Sequence, residues 1–239
     1  MVILINPFQS EKIKKAVTFS YDDGITQDVQ MIQLLNKYGL KATFNLNSQL
    51  LGTGLFLCGT DYKICHYKLR PEDVAHVYEG HEVAVHTLTH VNLTTVDDGE
   101  VIRQVEQDRQ NLSQLVGYDV VGMAYPCGGV NNDDRVAKLI REHTGVRYCR
   151  TTSTNHCFDL QNDLYRFNPT SHHHDFTSII ELAEKFIAMK PDKPQIFYLW
   201  GHSYEQDLSS DYWVKLEEFF RLISGHEDIF YGTNKEVLL

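Results

Sequence analysis

The feature that most constrains the fold of this chain is a repeated alternation of short strand-like segments with helical ones. Apolar, β-rich runs predict strands at residues 16–21, 41–47, 82–87, 121–126, 146–152, 165–169, 195–201 and 228–232. Apolar residues at helical spacing predict helices at residues 27–38, 72–78, 97–116, 133–142, 177–189 and 212–223. Gly39 and Gly117 stand where helix C-terminal caps belong. Alternation of this kind is typical of parallel strands covered by helices, so the sequence predicts one α/β domain over residues 1–239.

Charge, hydropathy and cysteine content narrow the class of protein. The chain of 239 residues has a formal net charge of −10 and no basic run, which argues against a nucleic-acid partner. No apolar stretch approaches the roughly 18 residues that span a bilayer, so no membrane partner is expected. The five cysteines form no C-x-x-C pair, which fits a reducing compartment. Residues 1–5 are apolar but lack a basic flank and a cleavage site, so we expect a cytoplasmic protein, or a secreted one if the chain is trimmed.

Polar residues follow the predicted strands where each strand ends, which is where parallel α/β folds form their sites. Asp22 and Asp23 end the first strand, and one carboxylate can bind a metal while the other handles a proton. A helix N-cap is the commoner use of such a pair. His86 ends the third strand and His90 follows it. Two imidazoles four residues apart suit a divalent ion such as zinc, although this spacing alone is a weak signal.

Two later strand ends carry further groups that hydrolysis needs. The fourth predicted strand runs into Pro126, Cys127 and two glycines, where exposed N–H groups could face an oxyanion, although an ordinary turn also fits. His202 follows the strand at residues 195–201, where an imidazole serves as a general acid or as a satisfied structural histidine. With the aspartates and the histidine pair, these groups form a complete set for metal-assisted hydrolysis.

At these positions the chain resembles the polysaccharide deacetylases, also called the NodB-homology or carbohydrate esterase 4 family. Residues 18–24 resemble the family's T-F-D-D-G motif, with Ser20 and Tyr21 preceding the aspartates. Residues 86–90, His-Thr-Leu-Thr-His, match the H-[ST]-x-x-H motif. Residues 124–128 resemble R-x-P-Y-G, and residues 199–202 resemble the late L-x-H motif with an insertion. The motifs keep the family's order along nearly the whole chain.

The resemblance implies a distorted, incomplete (β/α) barrel of about seven parallel strands. It also implies a divalent metal, zinc first and cobalt, nickel or manganese as alternatives. The implied metal ligands are Asp23, His86 and His90. Asp22 would act as general base on a water, the backbone N–H of Cys127 would contact the oxyanion, and His202 would protonate the leaving amine.

Three departures from the family pattern affect these expectations. Ala124 stands where the family has an arginine that braces the catalytic aspartate, and we hypothesise that Arg150 replaces it from a neighbouring strand. The fourth motif, with its tryptophan and aspartate, is not recognisable between residues 152 and 169. Residues 50–71 form an irregular insertion, predicted as a loop or hairpin over the site. Candidates for lining the substrate cavity are Tyr125, His172 and Trp200.

We therefore expect a metal-dependent hydrolase that deacetylates an N-acetylated amino sugar, oligosaccharide or polysaccharide. A second interpretation keeps the site but changes the substrate to a small non-sugar amide, such as a ureide or formamide; a cytoplasmic location favours it. A third is a non-catalytic glycan-binding relative, for which the missing arginine is the best support. The sequence leaves the oligomeric state open.

Overall fold

The computed structural model describes residues 7–9 and 13–239, which contain a curled parallel sheet covered by helices. The strands are β1 (Lys15–Asp22), β2 (Ala42–Leu46), β3 (Gly54–Cys58), β4 (Lys63–Tyr67), β5 (Glu82–Val85), β6 (Gly122–Ala124), β7 (Tyr148–Arg150), β8 (Ser171–His172), β9 (Gln195–Gly201) and β10 (Ile229–Tyr231). The α-helices are α1 (Asp28–Lys37), α2 (Val74–Val77), α3 (Asp98–Val116), α4 (Asp134–His143), α5 (Phe176–Ala188), α6 (Tyr212–Ile223) and α7 (Asn234–Leu238).

The main sheet has the strand order β7-β6-β5-β2-β1-β9-β8, and all of its pairs are parallel. β1 lies in the middle and pairs with β9 along nearly its whole length. On its other side, β10 pairs with the first three residues of β1 and β2 with the last four. The predicted incomplete (β/α) barrel is confirmed, and its two edge strands are β7 and β8.

The helices cover the sheet with one apolar face each. In α3, Asp97 accepts a hydrogen bond from the N–H of Glu100 and so caps the first turn, while Gly117 ends the helix in the left-handed conformation with φ of 75°. Between these ends, the buried residues Val101, Val105 and Leu112 recur at helical spacing and join the main core. This packing holds the carboxyl ends of the strands in fixed positions.

The insertion at residues 50–71 contains an antiparallel hairpin, in which β3 pairs with β4. The sequence predicted either a loop or a hairpin here, and the structure has the hairpin. Backbone hydrogen bonds attach it to the loop after β1: the N–H of Thr26 donates to Tyr67 at 2.8 Å, and that of Leu69 donates to Gly24 at 2.9 Å. Nε2 of Gln27 also donates to the carbonyl of Cys65. The hairpin is therefore fixed beside the aspartates.

The strand predicted at residues 165–169 is wrong. Asp163 caps a short 3₁₀ turn at Leu164–Arg166, and among the described residues the segment forms only an isolated bridge with β7, between Phe167 and Arg150. Pro169 has no N–H to continue a ladder. The strand that pairs with β9 on the side away from β1 is β8, which begins two residues later, at Ser171.

Other expectations concern the chain's environment. Residues 1–5, interpreted as lacking signal-peptide flanks, lie outside the described residues. Within the described part of the chain, no helix is long and apolar enough to cross a membrane. All five cysteines are free thiols, as their spacing predicts.

We predict that Gly122→Ala destabilises the fold. A Cβ at Gly122 would lie 2.1 Å from the hydroxyl of Tyr148, its partner in β7. That hydroxyl is buried and donates to Glu82 at 2.9 Å, so it has little freedom to retreat. Overpacking of this kind costs about 1–3 kcal/mol, which thermal or urea unfolding would measure. Gly99→Ala in the first turn of α3 is the control and should not lower stability; equal melting of all three proteins would contradict the prediction.

Candidate metal centre and catalytic site

A cavity of about 450 Å³ opens at the carboxyl ends of the strands. Its wall contains most of the residues that the sequence predicts for the site: Asp22, Asp23, His86, His90, Tyr125, Cys127, Trp200 and His202. These residues end or follow β1, β5, β6 and β9. Parallel strands bring their carboxyl ends to one edge of the sheet, so residues far apart in the chain share one cavity.

Three of these side chains are arranged as metal ligands. Asp23, His86 and His90 each offer one ligand-type atom, and the three atoms lie within 4.8 Å of one another. Nδ1 of His86 lies 2.9 Å from the carbonyl oxygen of Ala124 and donates to it, which leaves Nε2 with its lone pair. Burial lowers the pKa of His86 to about 4 and that of His90 below its ordinary value. Both imidazoles are therefore neutral at pH 7, the form that binds cations.

Asp23 is held in place by two residues of the hairpin. Its Oδ2 lies 3.2 Å from Nε2 of His66, and Nζ of Lys68 lies 3.3 Å from its Oδ1 and 2.8 Å from its backbone oxygen. Burial, the largest single influence, raises the pKa of Asp23, but the His66 hydrogen bond and the charge of Lys68 hold it well below the usual value. Asp23 is ionised. Sequence analysis missed His66 and Lys68, because a hairpin insertion has no motif to mark them.

Asp22 is almost completely buried and is contacted by Arg150. Nη2 of Arg150 lies 2.5 Å from both carboxylate oxygens, and Nδ2 of Asn45 lies 2.8 Å from Oδ1. Burial, the largest single influence, raises the pKa of Asp22, but the charge and hydrogen bond of Arg150, together with the nearby His86 and His202, lower it below its usual value. The Oδ2 atom also lies 3.9 Å from Nε2 of His86 and 4.0 Å from Nε2 of His202. An ionised carboxylate thus lies between the metal-type ligands and His202.

The aspartates do not act as helix caps, because α1 begins only at Asp28 after Gln27. The interpretation of the pair as an N-cap is therefore wrong.

Arg150 occupies a position that the small residue Ala124 makes possible. The two residues are direct partners in the parallel pair β6–β7, so their side chains leave the sheet on the same side. The guanidinium carbon of Arg150 lies 4.5 Å from the centre of the Trp200 ring, which covers it. The hypothesised replacement of the family's arginine by Arg150 fits this geometry: the guanidinium contacts the same aspartate from the next strand.

His202 has a carboxylate partner that sequence analysis missed. Its Nδ1 lies 3.3 Å from Oε2 of Glu205, which also accepts the backbone N–H of His202 at 2.9 Å. Burial, the largest single influence, lowers the pKa of His202, but the contact with Glu205 and the charges of Glu205, Asp23 and Asp22 raise it from 6.5 to about 9. The imidazolium is therefore the main form at pH 7. The spacing His202-x-x-Glu205 at a helix start is the sequence signal that could have found it.

The turn after β6 and the turns beside the metal-type ligands are strained. Non-glycine residues with positive φ include Asp23 at 84°, Thr87 at 65°, His90 at 58° and Cys127 at 68°. Such backbone conformations cost energy and cluster at functional sites. Among the described residues, the N–H of Cys127 donates to no protein acceptor, and Cys127 lines the cavity. That N–H is available to a ligand oxygen.

His172 does not line the cavity, contrary to the expectation from sequence. The Trp200 ring packs edge-on against its ring at 4.7 Å, and Nε2 of His172 faces Oε2 of Glu205 at 3.3 Å. Tyr125 and Trp200 do form part of the wall. Behind them, His173 is fully buried and packs on Gly201, where a Cβ would lie 2.3 Å from Cδ2 of His173.

The histidines 172–174 and Glu205 also lie within 4.8 Å of one another by their ligand-type atoms. The rings of His173 and His174, however, are stacked nearly parallel, 12° apart with centres at 4.6 Å. Imidazole lone pairs lie in the ring plane, so two stacked rings cannot both point at one ion. This group is better described as a hydrogen-bonded support for Glu205, whose Oε2 lies 2.7 Å from Nε2 of His173.

Comparison with known proteins places this site in a family context. The sequence model of the polysaccharide deacetylase family matches residues 9–148, more than half of the chain. Among solved structures, the family 4 carbohydrate esterase from Streptomyces lividans in complex with acetate has a TM-score of 0.55 at 13% identity and covers 92% of this chain and 93% of its own. The Puue allantoinase has a TM-score of 0.68 at 11% identity, with 98% of this chain and 92% of its own covered.

A further similar structure is the deacetylase PplD from Streptococcus pyogenes in complex with acetate, with a TM-score of 0.51 at 19% identity. The match covers 62% of this chain and 61% of that one, so this chain aligns with less than two thirds of that relative. At these identities the similarity to solved structures shows a shared fold.

We predict that Glu205→Gln lowers the pKa of His202. In ion-free protein, an NMR titration of His202 should give a pKa of about 9. Glu205 supplies the two largest influences that raise this pKa, so without its charge the pKa should fall by at least about one unit, where one unit is about 1.4 kcal/mol. The imidazolium form exists below the pKa, so in Glu205→Gln it would deprotonate at a lower pH than in the unaltered protein. The exposed Glu184→Gln is the control; an unchanged pKa in Glu205→Gln would show that Glu205 does not hold the proton on His202.

Proposed function

The chain belongs to the polysaccharide deacetylase family, and from that premise we propose that it is a metal-dependent hydrolase that deacetylates an N-acetylated amino sugar, oligosaccharide or polysaccharide. Family membership makes it a hydrolase of amide bonds. The observation that carries the rest is one juxtaposition: Oδ2 of the ionised Asp22 lies about 4 Å from both His86, in the ligand triad, and His202, a protonated imidazole. A base, an ion site and an acid thus surround one point in the cavity.

The residues present fit a divalent ion. Two neutral imidazoles and one ionised carboxylate are a typical zinc set, and three protein ligands leave a position open. Because Nδ1 of His86 already donates a hydrogen bond to the carbonyl of Ala124, the lone pair on Nε2 is free to bind the ion. Cobalt, nickel and manganese accept the same ligands. When bound, the ion would polarise the amide carbonyl and lower the pKa of a water.

The chain's own residues supply the remaining steps. Asp22, held ionised by Arg150, takes a proton from the attacking water. The unengaged N–H of Cys127 donates to the oxygen that gains negative charge in the tetrahedral intermediate. His202, held protonated by Glu205, gives its proton to the leaving nitrogen, which would otherwise depart as a very poor amide anion.

The second candidate function, hydrolysis of a small non-sugar amide, is supported by the size of the cavity. At about 450 Å³, and with the hairpin fixed beside it, the cavity is of the size that holds a small molecule. The third interpretation, a non-catalytic glycan-binding relative, was based mainly on the missing arginine. The contact between Arg150 and Asp22 removes that argument.

We predict that Asp22→Asn lowers kcat by about 10²–10⁴-fold while the ion stays bound, since the base is lost but the ligands remain. His86→Ala should instead lose the ion, because one of three ligands is removed. Metal content by mass spectrometry and turnover would be measured on the same samples, with unfolding curves to show that each variant is folded. The exposed His143→Ala serves as control. Full turnover by Asp22→Asn, or full metal content in His86→Ala, would contradict the assignment.

We predict that amine release is detected with N-acetylglucosamine and its short oligomers. The test compares these sugars with a panel of ureides and formamides at equal concentration. A higher kcat/KM for the sugars supports deacetylation, and a higher kcat/KM for the small amides supports the second candidate. Binding of the sugars by metal-loaded protein without turnover of any amide would favour the non-catalytic interpretation.

A further inference from the structure

A second cleft, of about 430 Å³, adjoins the catalytic cavity. Asp23, His90 and Tyr204 line both, so the two spaces adjoin at these side chains. The far wall of the cleft comes from the hairpin and the segment before it, and its apolar members are Leu50, Leu55 and Leu57. None of the catalytic steps described above uses this space.

The strand register explains why apolar side chains lie so close to the ion site. Successive residues of β3 point to opposite faces, so Leu55 and Leu57 share the cleft face while Phe56 points away. Leu55 is the direct partner of His66, whose Nε2 contacts Asp23 at 3.2 Å. Leu55 is nevertheless 54% exposed. Leu55 is thus exposed to solvent beside His66, which contacts the proposed metal ligand Asp23, and it is placed to contact a substrate bound at that site.

Tyr204 shows which side of the substrate meets the cleft. Its ring centre lies 5.3 Å from that of His202 and 4.9 Å from that of His66. His202 is the proposed proton donor to the leaving nitrogen. A group attached to the amine side of the scissile bond therefore passes Tyr204 and enters the hairpin cleft, whereas Cys127, at the oxyanion, lines only the catalytic cavity.

The charged side chains that line the cleft already contact other protein groups. Nζ of Lys68 contacts the backbone oxygen and Oδ1 of Asp23 and Oδ1 of Asn47, at 2.8, 3.3 and 3.0 Å. Nε2 of His66 also faces Asp23. The ammonium of Lys68 and Nε2 of His66 are therefore both engaged by Asp23, and what remains for a ligand is mainly aliphatic surface and the Tyr204 ring.

We propose that this cleft is a subsite for an uncharged alkyl or aryl group carried on the amine side of the substrate. The proposal rests on the proposed function and narrows its substrate class to N-acetylated amino sugars with an apolar substituent. Such a group would remove Leu55 and Leu57 from water on binding, which stabilises the complex in proportion to the apolar area buried.

The test compares octyl and methyl 2-acetamido-2-deoxy-β-D-glucopyranoside. We expect the metal-loaded protein to give a kcat/KM for the octyl compound roughly tenfold or more above that for the methyl compound, the scale on which apolar pockets discriminate. In Leu55→Ser and Leu57→Ser this ratio should fall towards one. Phe56→Ser, on the opposite face of the same strand, should keep it. A ratio near one in the unaltered protein, or equal ratios in all variants, would overturn the subsite.

A binding measurement separates failure of the subsite from failure of the proposed function. Octyl β-D-glucoside has no amide, and its binding below the critical micelle concentration can be followed by calorimetry. We expect Leu55→Ser to weaken this binding roughly tenfold, and Phe56→Ser and Asp22→Asn to retain it. Binding that depends on Leu55 without turnover of either sugar would support the subsite and reject deacetylation. Turnover of both sugars without such binding would reject the subsite alone.

Discussion

The buried ion pair between Asp22 and Arg150 depends on the curvature of the sheet. Asp22 ends the central strand β1, and Arg150 lies in the edge strand β7, with β2, β5 and β6 between them. Four strand spacings would separate the two backbones by ~19 Å in a flat sheet, too far for an arginine to reach. The guanidinium nevertheless contacts both oxygens of Asp22. If the sheet were flatter, the two groups would separate and each would be a buried charge without a partner, which is strongly destabilising. The ion pair therefore needs the curled sheet, and the pair in turn stabilises that curvature.

Each group of the proposed reaction is oriented by a partner from a different element. Asp22 is contacted by β7, Asp23 by the hairpin residues His66 and Lys68, and His86 by the carbonyl of Ala124. The site is therefore assembled by tertiary structure, and short segments around the motifs do not contain it. This arrangement keeps both aspartates ionised although both are buried, since a cation faces each of them.

Most of the fold and the centre of the site could be predicted from the sequence, for two physical reasons. Alternating strand and helix patterns leave few topologies, and parallel strands deliver their carboxyl ends, with Asp22, His86 and His202, to one edge. The supports could not be predicted in the same way, because His66 and Lys68 act through a hairpin pairing that has no periodic signal. The short strand β8 was misplaced because two residues carry too little pattern to identify. His172 was misassigned because the packing of Trp200 decides its direction.

The contact between Gly201 and His173 restricts which substitutions each position can accept. The imidazole of His173 fills the volume that any side chain at position 201 would need. A larger residue at 201 is therefore accessible only to a descendant that has first lost bulk at 173, whereas the reverse order passes through a protein with a severe clash. We therefore expect evolutionary substitutions at these two positions to occur in a fixed order, with His173 replaced before Gly201.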